Sequence, residues 1–502
     1  MSPSGATFTE DPAHWDQVAA TFDPWTAMLI DGREVGSDER LVVTSPRDGS
    51  TLAEVAVASD ADVDRAVAAA RAAFDDGPWP RLAPRERGAA MLRWADLIER
   101  DRDVIATTVS LEMGKPIREA WTIELRALLA TIRFYAELAD KEAGEIPAVG
   151  EDNLALVTRE PSGVVAAVVP WNFPLTLAGW KIAPAMSVGC TVVLKPSELS
   201  PLSALHVARL ALEAGIPAGV LNVVNGTGVT AGRALGLHAG VDVLAFTGST
   251  QVGRHFLRYA ADSNLKRVWL ELGGKSPNLV FADAPDLDAA AEAAAWGICF
   301  NSGQMCTAAS RLLVEEPIAE DFTRRVLAKV AAWTAGDPLD PATRLGPVVS
   351  EGQLDRVLGH VRRAEAQGAQ LLTGGERVLA ETGGSYVAPA VLDRVDPGSD
   401  LAQQEVFGPV LAVLPFTDAE EAVRLARDTE YGLAAAVWTS DLRTAHRVSR
   451  AVPAGTVWVN CYEEGDLTVP FGGMKASGNG RDKSRHAVEK YTELKTTWIN
   501  LS

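Results

Sequence analysis

The chain has 502 residues, more than a single hydrophobic core usually supports, so about three domains or subdomains are expected. Hydrophobic residues make up 47% of the chain and charged residues 23%, which excludes a disordered or fibrous protein. The formal net charge of −19 argues against nucleic-acid binding, because an acidic surface repels a phosphate backbone.

The sequence has no features of a membrane or secreted protein. No stretch approaches the roughly 18 apolar residues of a membrane-spanning helix. The polar segment Met1–Glu10 lacks the basic and apolar regions of a signal peptide, so a cytoplasmic location without a membrane partner is expected. The 4 cysteines are too few for a disulfide framework, and each is interpreted as a buried small residue or a reactive thiol: Cys190, Cys299, Cys306 and Cys461.

Two amphipathic helices are predicted first, at Asp60–Phe74 and Pro84–Glu99. After Pro161, short apolar runs alternate with helical ones. The predicted strands are Val164–Val169, Thr191–Leu194, Val220–Val224, Val241–Phe246 and Lys266–Leu272, and the helices between them are Ala204–Ala214, Thr230–Leu237 and Gln251–Ala260. This alternation predicts a parallel sheet with helices on both faces, as in dinucleotide-binding domains, which bind ligands at the carboxyl ends of their strands.

The rest of the chain contains a second alternating block and two connecting features. A second α/β domain is predicted from about Asp286 to Val469. The Gly/Pro/acidic segment Gly144–Asp152 is typical of a domain boundary. The extended-looking segment Glu489–Ile499 must pair with another strand, and another subunit is one candidate.

Three residues are candidates for catalysis, each with a simpler structural interpretation. Cys306 lies in a loop before the predicted strand Arg311–Val314, where catalytic groups tend to lie, although a lone cysteine is more often a small buried thiol. Glu271 ends an apolar strand, and it is either a charge that reaches solvent or a general base with a raised pKa. Asn172, in the turn Pro170–Pro174, either holds that turn or donates its amide to an oxyanion.

Two further segments are typical of nucleotide contacts. Lys195–Glu198 follows the second strand of the sheet, where an acidic residue can bind ribose hydroxyls. In Phe246–Thr250, Gly248 permits close backbone approach and the following helix N-terminus favours a phosphate; an ordinary N-cap by Ser249 or Thr250 is the alternative. No G-x-G-x-x-G follows the first strand, so the standard Rossmann fingerprint is absent.

Taken together, these segments resemble the aldehyde dehydrogenase superfamily from about Leu29 to the C-terminus. The motifs that carry the resemblance occur in the family's order and spacing: Pro170–Pro174, Lys195–Glu198, Phe246–Thr250, Glu271–Gly274, Gly303–Ala308 and Glu405–Pro409. The resemblance implies an α/β fold with a variant Rossmann NAD-binding domain that lacks the fingerprint, an α/β catalytic domain and a small β oligomerisation element. The implied boundaries are 1–138 and 162–273 for the NAD-binding domain, 274–476 for the catalytic domain, and 139–161 and 477–502 for the oligomerisation domain of a homodimer or homotetramer.

The resemblance also implies a mechanism. Cys306 attacks the aldehyde as a thiolate, and the Asn172 amide and the Cys306 backbone N–H stabilise the oxyanion. Hydride transfer to the nicotinamide leaves a thioester, which a water activated by Glu271 hydrolyses. Members that transfer the acyl group to coenzyme A generally lack this base, so hydrolysis to the free acid is favoured. A non-catalytic binding protein and a cofactor-free esterase are both disfavoured by the intact catalytic residues and nucleotide motifs.

Cofactor and substrate contacts follow from the same resemblance. The implied cofactor-binding residues are Val169, Trp171, Lys195, Ser197, Glu198, Gly228, Phe246, Gly248, Ser249, Leu272, Glu405 and Phe407. The implied substrate-binding residues are Phe173, Leu177, Trp180, Phe300, Met305, Thr307, Glu463, Glu464, Asp466 and Phe471. Since the Glu198 carboxylate would bind a ribose 2′-hydroxyl but repel a 2′-phosphate, NAD is predicted over NADP, a preference that Lys195 softens. No metal is implied.

The C-terminal region suggests a branch of the family. Gly465–Gly473 and Ser477–Ser484 resemble the γ-glutamyl-γ-aminobutyraldehyde dehydrogenases of putrescine breakdown and relatives that act on other ω-aminoaldehydes. Those enzymes tend to have Asn-Asp where Glu463-Glu464 stand and Asn where Cys461 stands. The acids at 463, 464 and 466 therefore either belong to a solvated loop or attract a cationic aldehyde. A general aliphatic or aromatic aldehyde dehydrogenase is the alternative.

Overall fold

The structure is a computed structural model that describes residues 7–502. The first six residues of the predicted 1–138 segment, and of Met1–Glu10, lie outside the described part. The N-terminal helices and strands are α1 (Pro12–Ala20), β1 (Met28–Ile30), β2 (Arg33–Val35), β3 (Arg40–Thr44), β4 (Thr51–Ala56), α2 (Asp60–Asp75), α3 (Pro84–Arg100), α4 (Arg102–Met113), α5 (Ile117–Glu119) and α6 (Leu125–Leu138).

The central part of the chain alternates strands and helices. Its elements are β5 (Asn153–Pro161), β6 (Val164–Val168), α7 (Pro174–Ser187), β7 (Thr191–Lys195), α8 (Leu202–Glu213), β8 (Leu221–Val223), α9 (Arg233–Leu237), β9 (Val243–Thr247), α10 (Thr250–Ala261) and β10 (Arg267–Glu271). The predicted helix Thr230–Leu237 begins as a π-helical turn, Gly228–Gly232, in which the Gly232 N–H donates to the Thr227 carbonyl at 3.2 Å. The other predicted strands and helices of this part lie within a few residues of their predicted bounds.

The C-terminal half contains the second predicted α/β block. Its elements are β11 (Pro277–Val280), α11 (Leu287–Cys299), β12 (Arg311–Glu315), α12 (Ala319–Val330), α13 (Glu351–Ala366), β13 (Gln370–Thr373), β14 (Arg377–Val378), β15 (Tyr386–Val387), β16 (Ala390–Asp393), α14 (Asp400–Gln403), β17 (Val410–Phe416), α15 (Ala419–Arg427), β18 (Ala434–Trp438), α16 (Leu442–Ala451), β19 (Thr456–Val459) and β20 (Thr492–Asn500).

Two seven-stranded sheets form the framework of the fold. The first has the order β10-β9-β6-β7-β8-β1-β2, in which β10 to β8 run parallel and β1 and β2 are added antiparallel. The second has the order β13-β16-β17-β12-β11-β18-β19 and is parallel except for β13. The central strands are buried throughout because helices cover both faces, which explains their uninterrupted apolar runs. The predicted α/β fold is therefore confirmed.

The two sheets meet where the first ends and the second begins. In the first sheet Val168 pairs with both Lys195 and Phe246, and Glu271 pairs with Thr247, so the carboxyl ends of these strands lie at one edge. Only five residues separate β10 from β11, the strand that pairs with β12 in the second sheet. The loop that carries Cys306 leads into β12, and it is therefore brought against the carboxyl ends of the first sheet.

The C-terminal strand pairs within its own chain. β20 lies antiparallel to β5 over nine residue pairs, from Thr492↔Pro161 to Asn500↔Asn153. Its outer side chains are exposed, Leu494 by 63% and Trp498 by 59%, so this two-stranded unit presents apolar surface to its surroundings. In the part of the chain that the structure describes, no helix is both long and apolar enough to cross a membrane.

Candidate active site

Cys306 is held in a loop whose backbone leaves little freedom. The preceding turn places Asn301, Ser302 and Gly303 at φ angles of 49°, 56° and 69°, a left-handed run that is costly for residues with a Cβ. A Cβ at Gly303 would strike the backbone of Gly408, so this loop packs directly on the segment that carries Glu405 and Phe407. The thiol therefore lies at a fixed position between the two sheets.

Asn172 is oriented toward the Cys306 loop. Its side chain is buried, and its Nδ2 donates to the Gln304 carbonyl oxygen at 2.9 Å. The Asn301 Nδ2 in turn donates to the Asn172 carbonyl oxygen at 3.1 Å. Gln304 uses one amide hydrogen, so the second hydrogen on Nδ2 is free to donate, and Asn172 and Cys306 line the same cavity. This arrangement places a fixed donor beside the thiol, as an oxyanion site requires.

Glu271 is a buried carboxylate, not a strand-end charge that reaches solvent. It is 4% exposed, and its Oε1 has no hydrogen-bond partner among the described residues. Burial raises the pKa of Glu271 to about 8, and the nearby Asp482 carboxylate adds to this effect. Such a pKa suits a general base near neutral pH.

A buried ion triplet lies next to Glu271. Asp482 accepts from both the Lys181 and the Lys490 ammonium groups. Burial opposes ionisation of Asp482, yet the two lysines hold its pKa below its usual range. The same lysines favour the ionised form of Glu271. The C-terminal segment closes this region, since a β-bridge joins Gly478 to Glu271 and the Leu272 N–H donates to the Ser477 carbonyl at 3.0 Å.

The surroundings of Cys306 favour the neutral thiol. Burial raises its pKa well above the usual range, and the carboxylates of Glu271, Glu463 and Glu405 raise it further. The thiol must therefore lose its proton to a neighbouring group when it reacts, and Glu271 is the carboxylate with the largest influence on it. Cys190 and Cys299 are buried in the core, which raises the pKa of Cys190 to about 12, and neither borders this site.

A cavity of about 1110 Å³, counting its open mouth, joins Cys306 to the carboxyl ends of the first sheet. It gathers Asn172, Leu177 and Cys306 together with six of the residues predicted to bind cofactor: Trp171, Gly248, Ser249, Leu272, Glu405 and Phe407. Trp171 and Phe407 meet edge to face at 5.2 Å. The predicted catalytic, cofactor and substrate sets thus each have members that line this cavity.

The cavity fits a dinucleotide. The 12-residue helix α10 begins there, and its N-cap Ser249 accepts from the Val252 N–H at 3.3 Å. The dipole at this N-terminus would favour a bound anion. Gly248 and Gly273 keep the approach open, because a Cβ on either would strike the Phe246 ring or the Glu405 carboxylate. Glu405 accepts from the Gly274 N–H at 3.0 Å, and burial raises its pKa to about 7.

The remaining residues of the predicted cofactor set lie outside this cavity. Lys195 is 2% exposed, and its Nζ lies 3.5 Å from the half-exposed Glu198 carboxylate. Burial lowers the pKa of Lys195, and the negative charge of Glu198 opposes this shift. Val169 and Ser197 are buried beside the ends of β6 and β7, and Phe246 packs on Phe256 at 4.9 Å. Gly228 is exposed at the start of the π-helical turn.

Several of the predicted substrate residues are aromatic side chains that contact one another. Phe173 and Phe300 lie 6.2 Å apart, and Phe300 stacks on Trp296 at 4.6 Å. Trp180 meets Phe471 at 5.2 Å. Leu177 and Trp180 are three residues apart on α7, so they share one face of that helix. Together these aromatic residues are called the aromatic wall, and Met305 and Thr307 of the Cys306 loop are buried.

The three acids of the loop 460–471 differ in their surroundings. Glu463 turns inward: burial raises its pKa, the Thr307 hydroxyl donates to it, and its Oε1 has no further partner in the described part of the chain. Glu464 and Asp466 are exposed, and Asp466 accepts from the Thr468 N–H at 2.8 Å in its own turn. Of the three, only Glu463 influences the Cys306 thiol.

Several residues of the site were not predicted. Gln304 lies in the Cys306 loop, but its function as the acceptor that orients Asn172 depends on packing and not on any sequence pattern. Gln353 and Arg356 line the cavity from α13, some fifty residues from Cys306 in the chain. Gln353 donates to the Phe407 carbonyl at 2.7 Å and so fixes that loop. Nothing in the local sequence of α13 indicates these contacts.

Comparison with known proteins agrees with this geometry. Residues 34–497 match the profile of the aldehyde dehydrogenase family. The chain is 48% identical over 491 residues to the NADP/NAD-dependent aldehyde dehydrogenase PuuC of Escherichia coli K12, covering 97% of this chain and 98% of that protein. Among solved structures it resembles an indole-3-acetaldehyde dehydrogenase in complex with NAD+, with a TM-score of 0.97 and 52% identity over 99% of this chain and 100% of that chain.

A second solved structure bears on the branch of the family. It is a γ-glutamyl-γ-aminobutyraldehyde dehydrogenase from Burkholderia cenocepacia J2315, with a TM-score of 0.96 and 53% identity over 98% of this chain and 100% of that chain. The predictions of the fold and of an NAD(P)-dependent dehydrogenase are thereby confirmed. Cys306 and the oriented Asn172 amide line one cavity, the buried Glu271 carboxylate lies near the thiol, and the chain belongs to the aldehyde dehydrogenase family.

Proposed function

We propose that this protein oxidises ω-aminoaldehydes, including γ-glutamyl-γ-aminobutyraldehyde, to the corresponding carboxylic acids with NAD. The observation that carries the substrate class is Glu463, whose carboxylate lies near enough to raise the pKa of the Cys306 thiol and keeps one buried oxygen without a partner in the described part of the chain. A buried acceptor without a partner is costly, so it favours a ligand that brings an N–H to this place. The relative from Burkholderia cenocepacia supports the same class.

The side chains around Cys306 would carry the reaction as follows. Glu271 removes the thiol proton, and the sulfur then attacks the aldehyde carbon to form a hemithioacetal. Its oxyanion accepts hydrogen bonds from the Asn172 amide and the Cys306 N–H. NAD, when bound in the cavity, would supply the acceptor for the hydride of this carbon, so that Cys306 is left holding a thioester. Glu271, once it has released the thiol proton to solvent, takes a proton from the water that attacks the thioester and returns it to the departing sulfur, which releases the acid and restores the thiol.

The cofactor would lie across the cavity and the carboxyl ends of the first sheet. Ser249 and the N-terminus of α10 would hold the pyrophosphate, Glu405 the nicotinamide ribose, and Lys195 with Glu198 the adenosine ribose. Because the Glu198 carboxylate repels a 2′-phosphate, we propose NAD as the preferred cofactor and NADP as a weaker one. The ratio of kcat/KM for NAD to that for NADP measures this preference, and Glu198→Gln is expected to reduce it.

Further proposals concern organisation. The first sheet, the second sheet and the β5–β20 pair support the domain division at residues 139, 162, 274 and 477. The exposed apolar side chains of β20 support a homodimer or homotetramer in which this strand contacts another copy. A cytoplasmic enzyme of polyamine breakdown would fit these properties.

The test is formation of NADH from a panel of aldehydes, with kcat/KM as the readout. We expect γ-glutamyl-γ-aminobutyraldehyde and 3-aminopropanal to exceed hexanal by about tenfold or more, which is about 1.4 kcal/mol of transition-state binding. Cys306→Ala is the control, since it should abolish turnover while NAD still binds. A preference for hexanal or indole-3-acetaldehyde would instead support a general aldehyde dehydrogenase, the alternative that the aromatic wall at Phe173, Phe300 and Trp296 favours.

A further inference from the structure

Lys483 is a half-buried lysine near the loop of Glu463, and the proposed reaction does not use it. Its Nζ lies 5.9 Å from the centre of the Trp180 ring. It is also close to Gly465, since a Cβ added to that glycine would lie 3.6 Å from the Lys483 Nζ. No hydrogen bond and no ion pair within 4 Å involves this ammonium in the described part of the chain, although Glu463 and Asp466 lie near enough to raise its pKa against the effect of burial. The Trp180 ring and these two carboxylates attract the ammonium, but its N–H groups have no acceptor among the described residues, which calls for an explanation.

The backbone holds Lys483 in place. Its φ is 60° and that of Ser484 is 50°, in the left-handed region that residues with a side chain rarely adopt. The Ser484 N–H donates to the Leu467 carbonyl at 2.7 Å, and Asp482 and Phe471 exchange backbone hydrogen bonds at 2.7 and 2.8 Å. The backbone on either side of the lysine is thus fastened to residues 467 and 471 of the loop 460–471, which fixes where its side chain begins.

Three polar groups near the aromatic wall lack hydrogen-bond partners among residues 7–502. They are the Glu463 Oε1, the Trp180 Nε1 and the Lys483 ammonium. Leu177 borders the cavity with Cys306, and Trp180 lies three residues, about 4.5 Å, farther along α7. Glu463 is near enough to influence both the Cys306 thiol and the Lys483 ammonium, which lies beside the Trp180 ring. The set comprises one acceptor and two donors.

We infer that Lys483 is a specificity-determining residue, which binds a carbonyl or carboxylate oxygen in the tail of the aldehyde while Glu463 accepts an N–H from the same tail. This inference rests on the proposed function and narrows it to N-acylated aminoaldehydes. An amide offers both an N–H and a C=O, and so complements one acceptor and two donors. A bare ammonium would satisfy Glu463 alone and would be repelled by the Lys483 charge.

The test compares three aldehydes: N-acetyl-3-aminopropanal and hexanal, whose chains are equally long, and the shorter 3-aminopropanal. Lys483→Met removes the charge and keeps the length of the side chain. We expect kcat/KM for the acetylated aldehyde to fall by at least about tenfold, the lower end of what a hydrogen bond to a charged group contributes. Hexanal should change less than about twofold, and 3-aminopropanal should improve, because a like charge is removed. Lys483→Arg should retain the preference for the amide.

Lys329→Met is the matched control, because Lys329 lies on α12 and pairs with Glu292 at 3.3 Å. An equal loss on all three aldehydes would mean that Lys483 has only a structural function, and this would overturn the inference. The wild-type protein provides a second arm: if it prefers 3-aminopropanal to the acetylated aldehyde, the inference is wrong, whether or not Lys483→Met folds. A wild-type preference for hexanal over both would overturn the proposed function along with it.

Discussion

Replacement of Glu463 by Gln tests both substrate recognition and the electrostatics of the thiol. The change is nearly isosteric, and it removes a charge that lies buried against Thr307. A hydrogen bond to a charged group contributes about 1.5–3 kcal/mol, and each 1.36 kcal/mol is tenfold in rate. We therefore expect kcat/KM for 3-aminopropanal and its acetylated form to fall by roughly 10- to 150-fold, with hexanal unchanged or improved.

The second readout of Glu463→Gln is the reactivity of Cys306. The Glu463 carboxylate raises the pKa of the thiol, so its removal should lower that pKa and speed alkylation by iodoacetamide at any pH below it. Burial raises the pKa of Glu463 itself, so wild type and variant should differ most at high pH, where this carboxylate is ionised. The assay is the pH dependence of the alkylation rate without aldehyde.

Glu464→Gln is the matched comparison for both readouts. Its carboxylate is exposed one residue away, where solvent screens it, so we expect less than about a fivefold effect on kcat/KM. The reasoning is refuted if Glu463→Gln lowers activity equally on hexanal and on 3-aminopropanal. It is also refuted if alkylation of Cys306 becomes slower or does not change.

Three other predictions follow from the packing. Gly303→Ala places a Cβ against the Gly408 backbone at a left-handed position, which should cost about 2–5 kcal/mol of stability and lower the temperature of thermal inactivation. Lys490→Met removes a cation that favours ionised Glu271, whose pKa is already raised to about 8. The pKa of Glu271 should rise further, and the acidic limb of the pH profile for thioester hydrolysis should move to higher pH. No movement, or movement to lower pH, contradicts the assignment of Glu271 as the base. Trp498→Arg should shift the protein to smaller species in sedimentation velocity, whereas an unchanged distribution argues against β20 as a contact between copies.

Much of the fold was predictable because periodicity and turn residues are local signals. The uninterrupted apolar runs at β6, β7 and β9 are typical of strands buried on both faces, and the structure confirms them. The boundary of α9 was less accurate, since a π-helical turn precedes it and an i→i+5 bond leaves no separate pattern in the sequence. The partner of β20 was left open because strand pairing across more than three hundred residues depends on tertiary packing.

The chemistry of the site was predictable only in part, for a related reason. Cys306, Glu271 and Asn172 lie in short segments whose residue types suggest their chemistry, and the structure places Asn172 and Cys306 on one cavity with Glu271 near enough to raise the pKa of the thiol. What the sequence did not contain was their environment. Whether Glu271 reaches solvent or is buried decides the direction of its pKa shift, and that depends on residues 477–482 folding over it from two hundred positions away.

We propose that the buried Glu463 links recognition of the substrate to activation of the nucleophile. Its charge raises the pKa of Cys306, so in the free protein it disfavours the thiolate. The N–H dipole of a substrate bound to Glu463 would oppose part of this field at the sulfur, and an ammonium would oppose more of it. An aldehyde without such a group would leave that field unopposed. The contact proposed to select the substrate would therefore also ease deprotonation of the thiol, so a preferred aldehyde would gain in the rate of acylation as well as in binding.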